Sequence, residues 1–446
     1  IINKGVLIIS QLGELINTTD NNVGGIIEIV SPTKTMNQWT FIGAPFVDDD
    51  YTLGCIIPNT NDIGVVRFNH EGGVWQSDWE RTSSAMKAGE GYFAWPFYAG
   101  VITYTTYGDV GVFNTTTNTW NKGEYDFTKQ PDTELNNADF QFKRNIPTTG
   151  TNHWMALSNP YPAKLSVSKF LTPNTSVLQG GCTYSFNGSS FDIKNKTSGN
   201  IGMTEGFFVN FRSGGNDKSV TFKKSQMTNY PTTAKQAKAS AKEFIELTLQ
   251  NGKDKVRVYF AHNEDAEQGY DILDANKMFA TTGVAEPYFV TDGIALIKEE
   301  VRDLPYYATM NVRSQEDTVM NFVLTNLPEG YAVSIIDGEE VIDLVEGGVY
   351  STEIASGENA DRFKVLVKKN VGLADVEELD VTIINSNRHI AITAQENVKV
   401  SVYNTLGQKV FETEETNFVL SGVASGAYVV KVQGAKAAKS QKIIVE

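Results

Sequence analysis

Apolar and polar residues alternate through most of this chain, which is the pattern of strands with one buried face. Toward the end, Val398, Val400 and Val402 alternate with polar neighbours. Asn404-Thr405-Leu406-Gly407 interrupts them, Val410-Phe411 resumes, and Ser425-Gly426 breaks the chain before Tyr428-Val429-Val430-Lys431-Val432. The spacing predicts a meander of short antiparallel strands closing one small Ig-like sandwich over 381–446. Upstream, Phe244-Ile245-Glu246-Leu247-Thr248-Leu249 and Lys255-Val256-Arg257-Val258-Tyr259-Phe260 flank Gly252, a hairpin pattern. Further strands are predicted at 288–290, 295–297, 321–324, 332–336 and 362–367, so 244–369 reads as a second sandwich. Val6-Leu7-Ile8-Ile9 predicts a first strand. With Ile1 at the start, the sequence is expected to be a mature or truncated piece.

The first half contains an internal repeat. Residues 37–45 read NQWTFIGAP and 152–160 read NHWMALSNP; 86–93 read MKAGEGYF and 201–208 read IGMTEGFF. Trp39 precedes Gly91 by 52 positions, and Trp154 precedes Gly206 by the same 52. Each copy carries a Phe-Asn turn between its anchors, Phe68-Asn69 and Phe186-Asn187, and a further strand after them, near 101–104 and 219–222. Pro45 and Pro160 end the Trp strands, since proline cannot donate to a central ladder. Gly91 and Gly206 mark a bulge or a close backbone approach. Tyr92-Phe93 and Phe207-Phe208 place one ring on each strand face. Residues 1–230 therefore read as two related jelly-roll or sandwich-like units, with anchors at 37–105 and 152–222. Two linkers follow from composition: 231–243, rich in Ala, Lys, Thr and Ser, and the acidic 370–380. The expected fold class is all-β.

Composition narrows the possibilities. The chain has 446 residues with a formal net charge of −15, which argues against nucleic acid and against docking on anionic lipid. No apolar run approaches the ~20 residues of a membrane-spanning helix, so no membrane insertion is expected. The two cysteines, Cys55 and Cys182, are too few for a disulfide scaffold; one bridge or two buried thiols both fit.

The tail residues Val402-Tyr403-Asn404-Thr405-Leu406-Gly407-Gln408, Gly426-Ala427-Tyr428-Val429-Val430-Lys431-Val432 and Lys442-Ile443-Ile444-Val445 resemble the C-terminal sorting domain of proteins exported by the type IX secretion system of Bacteroidetes. Asn159-Pro160-Tyr161-Pro162 with Glu205-Gly206-Phe207-Phe208-Val209 resembles a module frequent in large secreted proteins of the same phylum. The run from Gly269 to Phe363 resembles a domain common just before the sorting domain. The resemblance implies a secreted or surface-attached protein whose tail engages the secretion machinery. It implies motif roles for Gly407 and Gly426 in turns, Tyr428 in packing, and Lys442 as a presented charge. Whether that tail is a cleaved signal or a retained structural domain stays open: the family's Pro-Asn-Pro-like opening is replaced here by Ile383-Ile384-Asn385-Ser386-Asn387.

Candidate chemistry is sparse. His70, His153, His262 and His389 show no metal-ligand spacing. No nucleophile elbow or phosphate loop occurs. Asp78 with Glu80, or Glu264 with Asp265, are the carboxylate pairs open to hydrolytic work. The turns Asp48-Asp49-Asp50, Asp20-Asn21-Asn22 and Asp271…Asp274 carry oxygen ligands suited to calcium but lack the EF-hand pattern. No cofactor, metal or catalytic set is expected. For sugar stacking, the candidates are Trp75 with Trp79 and Trp95 with Tyr98, whereas Trp39 and Trp154 occupy equivalent repeat positions and belong to the core. The expected function is a non-enzymatic, adhesin-like or structural surface protein, with glycan or a host or cell-surface protein as partner. The alternatives are a carbohydrate-binding component of a secreted glycan-degrading system and a secreted hydrolase.

Overall fold

The computed structural model describes residues 135–229 except 152, 197 and 198, and 244–369 except 253, 281 and 282. Before them it describes 6–10, 13–16, 18, 26–32, 34–35, 38–46, 56–57, 63–76, 86–96, 102–106, 111–114, 116 and 119–122. After them it describes 381–386, 388–394, 397–404, 408–434 and 438–445. Both predicted linkers lie outside the described residues. The fold is nearly all β. The chain divides into two units, 1–369 and 370–446.

The repeat is a structural one. In copy one, Thr40–Ile42 pairs with Tyr92–Pro96, which pairs with Ile63–Asn69, which pairs with Val74–Gln76. In copy two, Trp154–Ser158, Gly206–Asn210, Thr183–Phe186 and Phe191–Lys194 follow in the same order. The register is shared as well. Phe41 opposes Phe93 and Ala156 opposes Phe208, each pair shifted by the 115 positions that separate Trp39 from Trp154. Phe68 opposes Trp75 as Phe186 opposes Phe191. A further pair of strands accompanies each sheet: Ile26–Val30 with Thr103–Thr105, and Phe140–Ile146 with Gly215–Phe222.

Alternation then sorts the rings as the sequence predicts. Tyr92 points into copy one's own core with Ile27, Ile29 and Ile42. Phe207 points into copy two's core with Met155, Phe170 and Phe222. Phe93 and Phe208 point the other way, into a cluster shared by the two copies. There Phe41 lies 4.6 Å from Phe93 and 4.9 Å from Phe208, and Phe93 lies 5.1 Å from Phe186. Such offset and edge contacts add to the burial of the rings themselves.

One helix, Val167–Asn174, goes beyond the sequence expectation. Ser166 caps it by accepting from the Lys169 N–H, and Val167, Phe170, Leu171 and Asn174 form its buried stripe. Two turns are too short for periodicity to declare themselves against the surrounding strands.

Residues 244–369 form one continuous sheet. The predicted hairpin is Ile245–Asn251 with Asp254–His262. The sheet's terminal strands, Glu340–Leu344 and Val349–Ile354, contribute Leu344 and Ile354 to the same core as its central strands. The sheet therefore wraps around that core in a sandwich-like way. This part joins copy two through the shared apolar cluster, to which it adds Tyr259, Ala275 and Ile297, and through polar contacts. Asp192 accepts from the Arg257 guanidinium and the Tyr259 hydroxyl. Gln179 Nε2 donates to the carbonyls of Asp271 and Asp274 at 2.6 and 2.8 Å. Buried Lys298 donates to the Gly180 carbonyl at 3.0 Å and pairs with Glu300.

The second unit is a two-sheet sandwich. Val381–Ser386, His389–Ala394 and Asn417–Val419 form one sheet; Lys409–Thr413, Lys399–Asn404, Gly426–Gln433 and Ala438–Val445 form the other. Val398, Val400 and Val402 fill its core with Ile390, Phe418, Tyr428 and Ile443.

Candidate binding cleft at the repeat seam

The two copies meet about a local two-fold relationship. The backbone of Ile42 bridges Glu205, and the equivalent Leu157 bridges the equivalent Glu90. The Gly43 N–H donates to the Thr204 carbonyl at 3.1 Å, and the Ser158 N–H donates to the Gly89 carbonyl at 2.8 Å. The repeat glycines are needed for this approach. A Cβ on Gly91 would lie 2.3 Å from the Leu157 carbonyl oxygen, and one on Gly206 would lie 2.5 Å from the Phe41 ring. The close-approach reading of these glycines matches the geometry.

Each glutamate of the seam borders a depression, and the two depressions differ. At Glu205, Gly202 donates its N–H to Oε2 at 2.7 Å and Lys194 pairs with Oε1 at 3.2 Å. At Glu90 the position of Gly202 is taken by Lys87, and the carboxylate is buried. Arg144 Nη2 pairs with Glu90 Oε2 at 2.9 Å, and the Tyr92 hydroxyl donates to the same oxygen at 2.9 Å. The His70 ring is buried beside them, its Nδ1 4.0 Å from Glu90 Oε1. Its Nε2 accepts from the Ala156 N–H at 3.2 Å, so the proton of the neutral ring sits on Nδ1 and faces the carboxylate. Burial lowers the His70 pKa to about 4, with Glu90 opposing and Arg144 and Arg67 assisting. Burial, then Glu90, pushes the Tyr92 hydroxyl well above its ordinary range.

Above this buried group lies an open cleft of about 510 Å³, rimmed by exposed Arg67, Lys87, Lys143, Glu71, Asn145 and Asp217. Asn145 ties the rim together: its Nδ2 donates to Glu71 at 2.8 Å and its Oδ1 accepts from the Asp217 N–H at 3.2 Å. Four cationic side chains, Arg67, Lys87, Lys143 and Arg144, face three carboxylates here, in a chain of net charge −15.

The sequence candidates are distributed as follows. Trp75 is 37% exposed on an edge strand, with its ring packed edge-on against Phe93 at 4.7 Å and Phe68 at 5.1 Å. Trp95 is half-buried and lies 5.1 Å from Trp39. Their intended partners Trp79 and Tyr98 lie outside the described residues, as do Gly407, Cys55, the pair Asp78 and Glu80, and the turns at 20–22 and 48–50. Cys182 is a free, fully buried thiol whose pKa burial raises to about 11. Gly426 is exposed at the start of an inner strand, Tyr428 is buried and donates to the Ala424 carbonyl at 2.8 Å, and Lys442 is exposed opposite Val429. Glu264 and Asp265 sit exposed in a turn. Asp271 accepts the N–H groups of Glu267 and Leu273, and Asp274 those of Asp271 and of Glu300 in the neighbouring strand, so both carboxylates are engaged by backbone donors. Among the described residues no group of side chains is arranged to hold a metal ion. The cleft itself was missed in the sequence. Its one signal was the exchange of Gly202 for Lys87 between the aligned motifs.

Comparison with known proteins gives two matches. Residues 384–446 match the secretion system C-terminal sorting domain. Residues 1–187 match a domain of unknown function (DUF8693), ending inside the hairpin of copy two. No curated protein matches the chain. The sorting domain marks a Bacteroidetes protein exported by the type IX system and released or attached at the cell surface, and it implies contact with that secretion machinery. No helix among the described residues is long and apolar enough to cross a membrane.

Proposed function

We propose that this chain is an adhesin-like, non-enzymatic protein displayed at the cell surface, with the two-copy unit as its recognition part. The observation that supports this reading most is the asymmetry of the seam. Two copies share strand order and register, yet only copy one surrounds its glutamate with His70, Tyr92, Lys87 and Arg144. Copy two's glutamate pairs with Lys194 in a depression lined by Lys34 and Lys164, so what distinguishes copy one is the buried His70, Tyr92 and Arg144 set rather than charge itself.

The buried carboxylate argues for binding over catalysis. Glu90 is held by Arg144 and Tyr92, so its carboxylate is already engaged within the protein rather than presented to a reacting group. The residues 244–369 then act as a spacer joined to copy two, and the sorting domain delivers the whole. A second reading is a carbohydrate-binding component of a secreted glycan-degrading system, favoured by the same amide- and cation-lined cleft.

The purified full chain, applied to arrays of glycans and of surface proteins, tests the proposal. Selective retention of one ligand class, with no turnover of that ligand over prolonged incubation, is expected. Release of cleavage products would overturn the non-enzymatic reading, and failure to bind any arrayed ligand would overturn the adhesin-like one.

A further inference from the structure

We infer that the depression beside Glu205 takes a small monocarboxylic acid built on a single apolar ring. It borders the other glutamate of the seam, and the inference does not depend on what the cleft over Glu90 binds.

The charges come first. Lys34 and Lys164 line this depression together with Glu205. Glu205 is already engaged: Lys194 pairs with its Oε1 at 3.2 Å, and the Gly202 N–H donates to its Oε2 at 2.7 Å. Glu14 accepts the Lys164 backbone N–H at 3.2 Å with one oxygen and the Asn229 side-chain amide with the other. Among the described residues, neither the Lys34 nor the Lys164 ammonium has a carboxylate within ion-pair distance. Lys34 is half-buried, and burial lowers its pKa, with Glu205 opposing. A cation held partly out of water without a counter-charge costs the folded chain stability, and an anion bound against it offsets that cost.

The walls decide what must carry the anion. Phe41, Phe186 and Met203 line the same depression. Both rings are fixed from behind by Phe93, with Phe41 stacked on it at 4.6 Å and Phe186 edge-on at 5.1 Å. A fixed apolar wall beside two cations suits a flat apolar body that ends in one negative group. Inorganic phosphate would leave the rings uncovered, and a neutral ring would leave the lysines unmatched. The volume is about 260 Å³, below the range of drug-sized sites. That size suits one ring with a short acidic arm and not a chain of sugars.

The test uses the full chain labelled at its methionine methyls, with the Met203 signal assigned through Met203→Leu. Phenylacetate is titrated in and the Met203 signal followed by NMR. Phenylacetamide keeps the ring without the charge, and acetate keeps the charge without the ring. Phenylacetate is expected to shift the Met203 signal in a saturable way, more weakly as salt rises. Both controls are expected to bind about tenfold more weakly or worse. Lys34→Gln and Lys164→Gln, tested separately with melting curves to confirm the fold, are each expected to weaken phenylacetate about tenfold. An unmoved Met203 signal, a control that binds as well as phenylacetate, or folded variants that bind like the wild type overturns the inference. Binding on the arrays by a chain that fails here leaves the adhesin-like reading standing.

Discussion

Gly43 and Ser158 are the same position of the two repeats, and they face each other across the seam. A Cβ built on Gly43 would lie 1.9 Å from the Cβ of Ser158. One side chain fits at this point of the local two-fold, and the sequence gives it to copy two. The seam thus resembles an isologous interface, in which each contact recurs with the copies exchanged, fused here into one chain.

That relationship predicts a rescue. Gly43→Ser alone adds a second side chain where one fits and is expected to cost about 1–3 kcal/mol or more. Gly43→Ser with Ser158→Gly restores one serine facing one glycine with the copies exchanged, and most of the loss is expected to return. Urea denaturation of the two single variants and the double variant measures the coupling. Additive losses would mean that the two positions do not share the space.

Gly206→Ala drives a methyl toward the Phe41 ring, and Gly91→Ala drives one toward the Leu157 carbonyl. Both are expected to lower stability by about 1–3 kcal/mol. A Phe41→Leu background is expected to soften the first more than the second, since the Gly91 methyl also meets Phe41 but keeps its 2.3 Å clash with the Leu157 carbonyl oxygen. Melting of the four variants separates these outcomes.

The buried Lys298 joins copy two to the following sheet by donating to the Gly180 carbonyl and pairing with Glu300. Lys298→Met leaves Glu300 without its cation and is expected to destabilise by about 3 kcal/mol or more. Residues 1–369 are expected to melt as one cooperative transition, with 370–446 melting separately. Calorimetry of the full chain reads both: two transitions in the wild type, and only the larger one shifted in the variant.

Stability is expected to carry two opposing dependences on pH. His70 stays neutral in the folded chain down to about pH 4, whereas the unfolded chain protonates it below about 6.5. Its contribution is full above pH 6.5 and is lost as pH falls toward 4. Glu299 and Asp274 act the other way: burial raises them to about 7 and about 6, so the folded chain holds protons that the unfolded chain releases. Their contribution is full below about pH 4 and is lost as pH rises through 6 and 7. The shifts at His70 and Glu299 each correspond to about 3 kcal/mol. Glu299→Gln is therefore expected to flatten the loss toward pH 8, and His70→Gln the loss toward pH 4, in urea denaturation across this range. Parallel profiles for wild type and both variants would contradict the assignment.

Much of the fold was legible because strands announce themselves by alternation. The pairs Tyr92-Phe93 and Phe207-Phe208 predict one ring per face, and the structure sends Tyr92 and Phe207 to separate cores and Phe93 and Phe208 to the shared one. Tyr306–Ser314 alternates in the same way, with Ala308, Met310 and Val312 buried, so this strand too was legible in the sequence. The cleft was not legible. Arg67, Lys87 and Arg144 come from a hairpin strand, a turn and a strand that precedes the second anchor, and only the folding of one copy onto the other brings them together.

Surface display underlies the whole functional account, and removal of the matched tail tests it most directly. The chain lacking 384–446 is expressed in its own cell, and the fraction of residues 1–369 reached by an external protease on intact cells is compared with that of the full chain. The account predicts that the full-length protein is cleaved from outside or recovered in the medium, while the shortened one stays protected inside the cell. An undiminished surface or secreted fraction without the tail would contradict it.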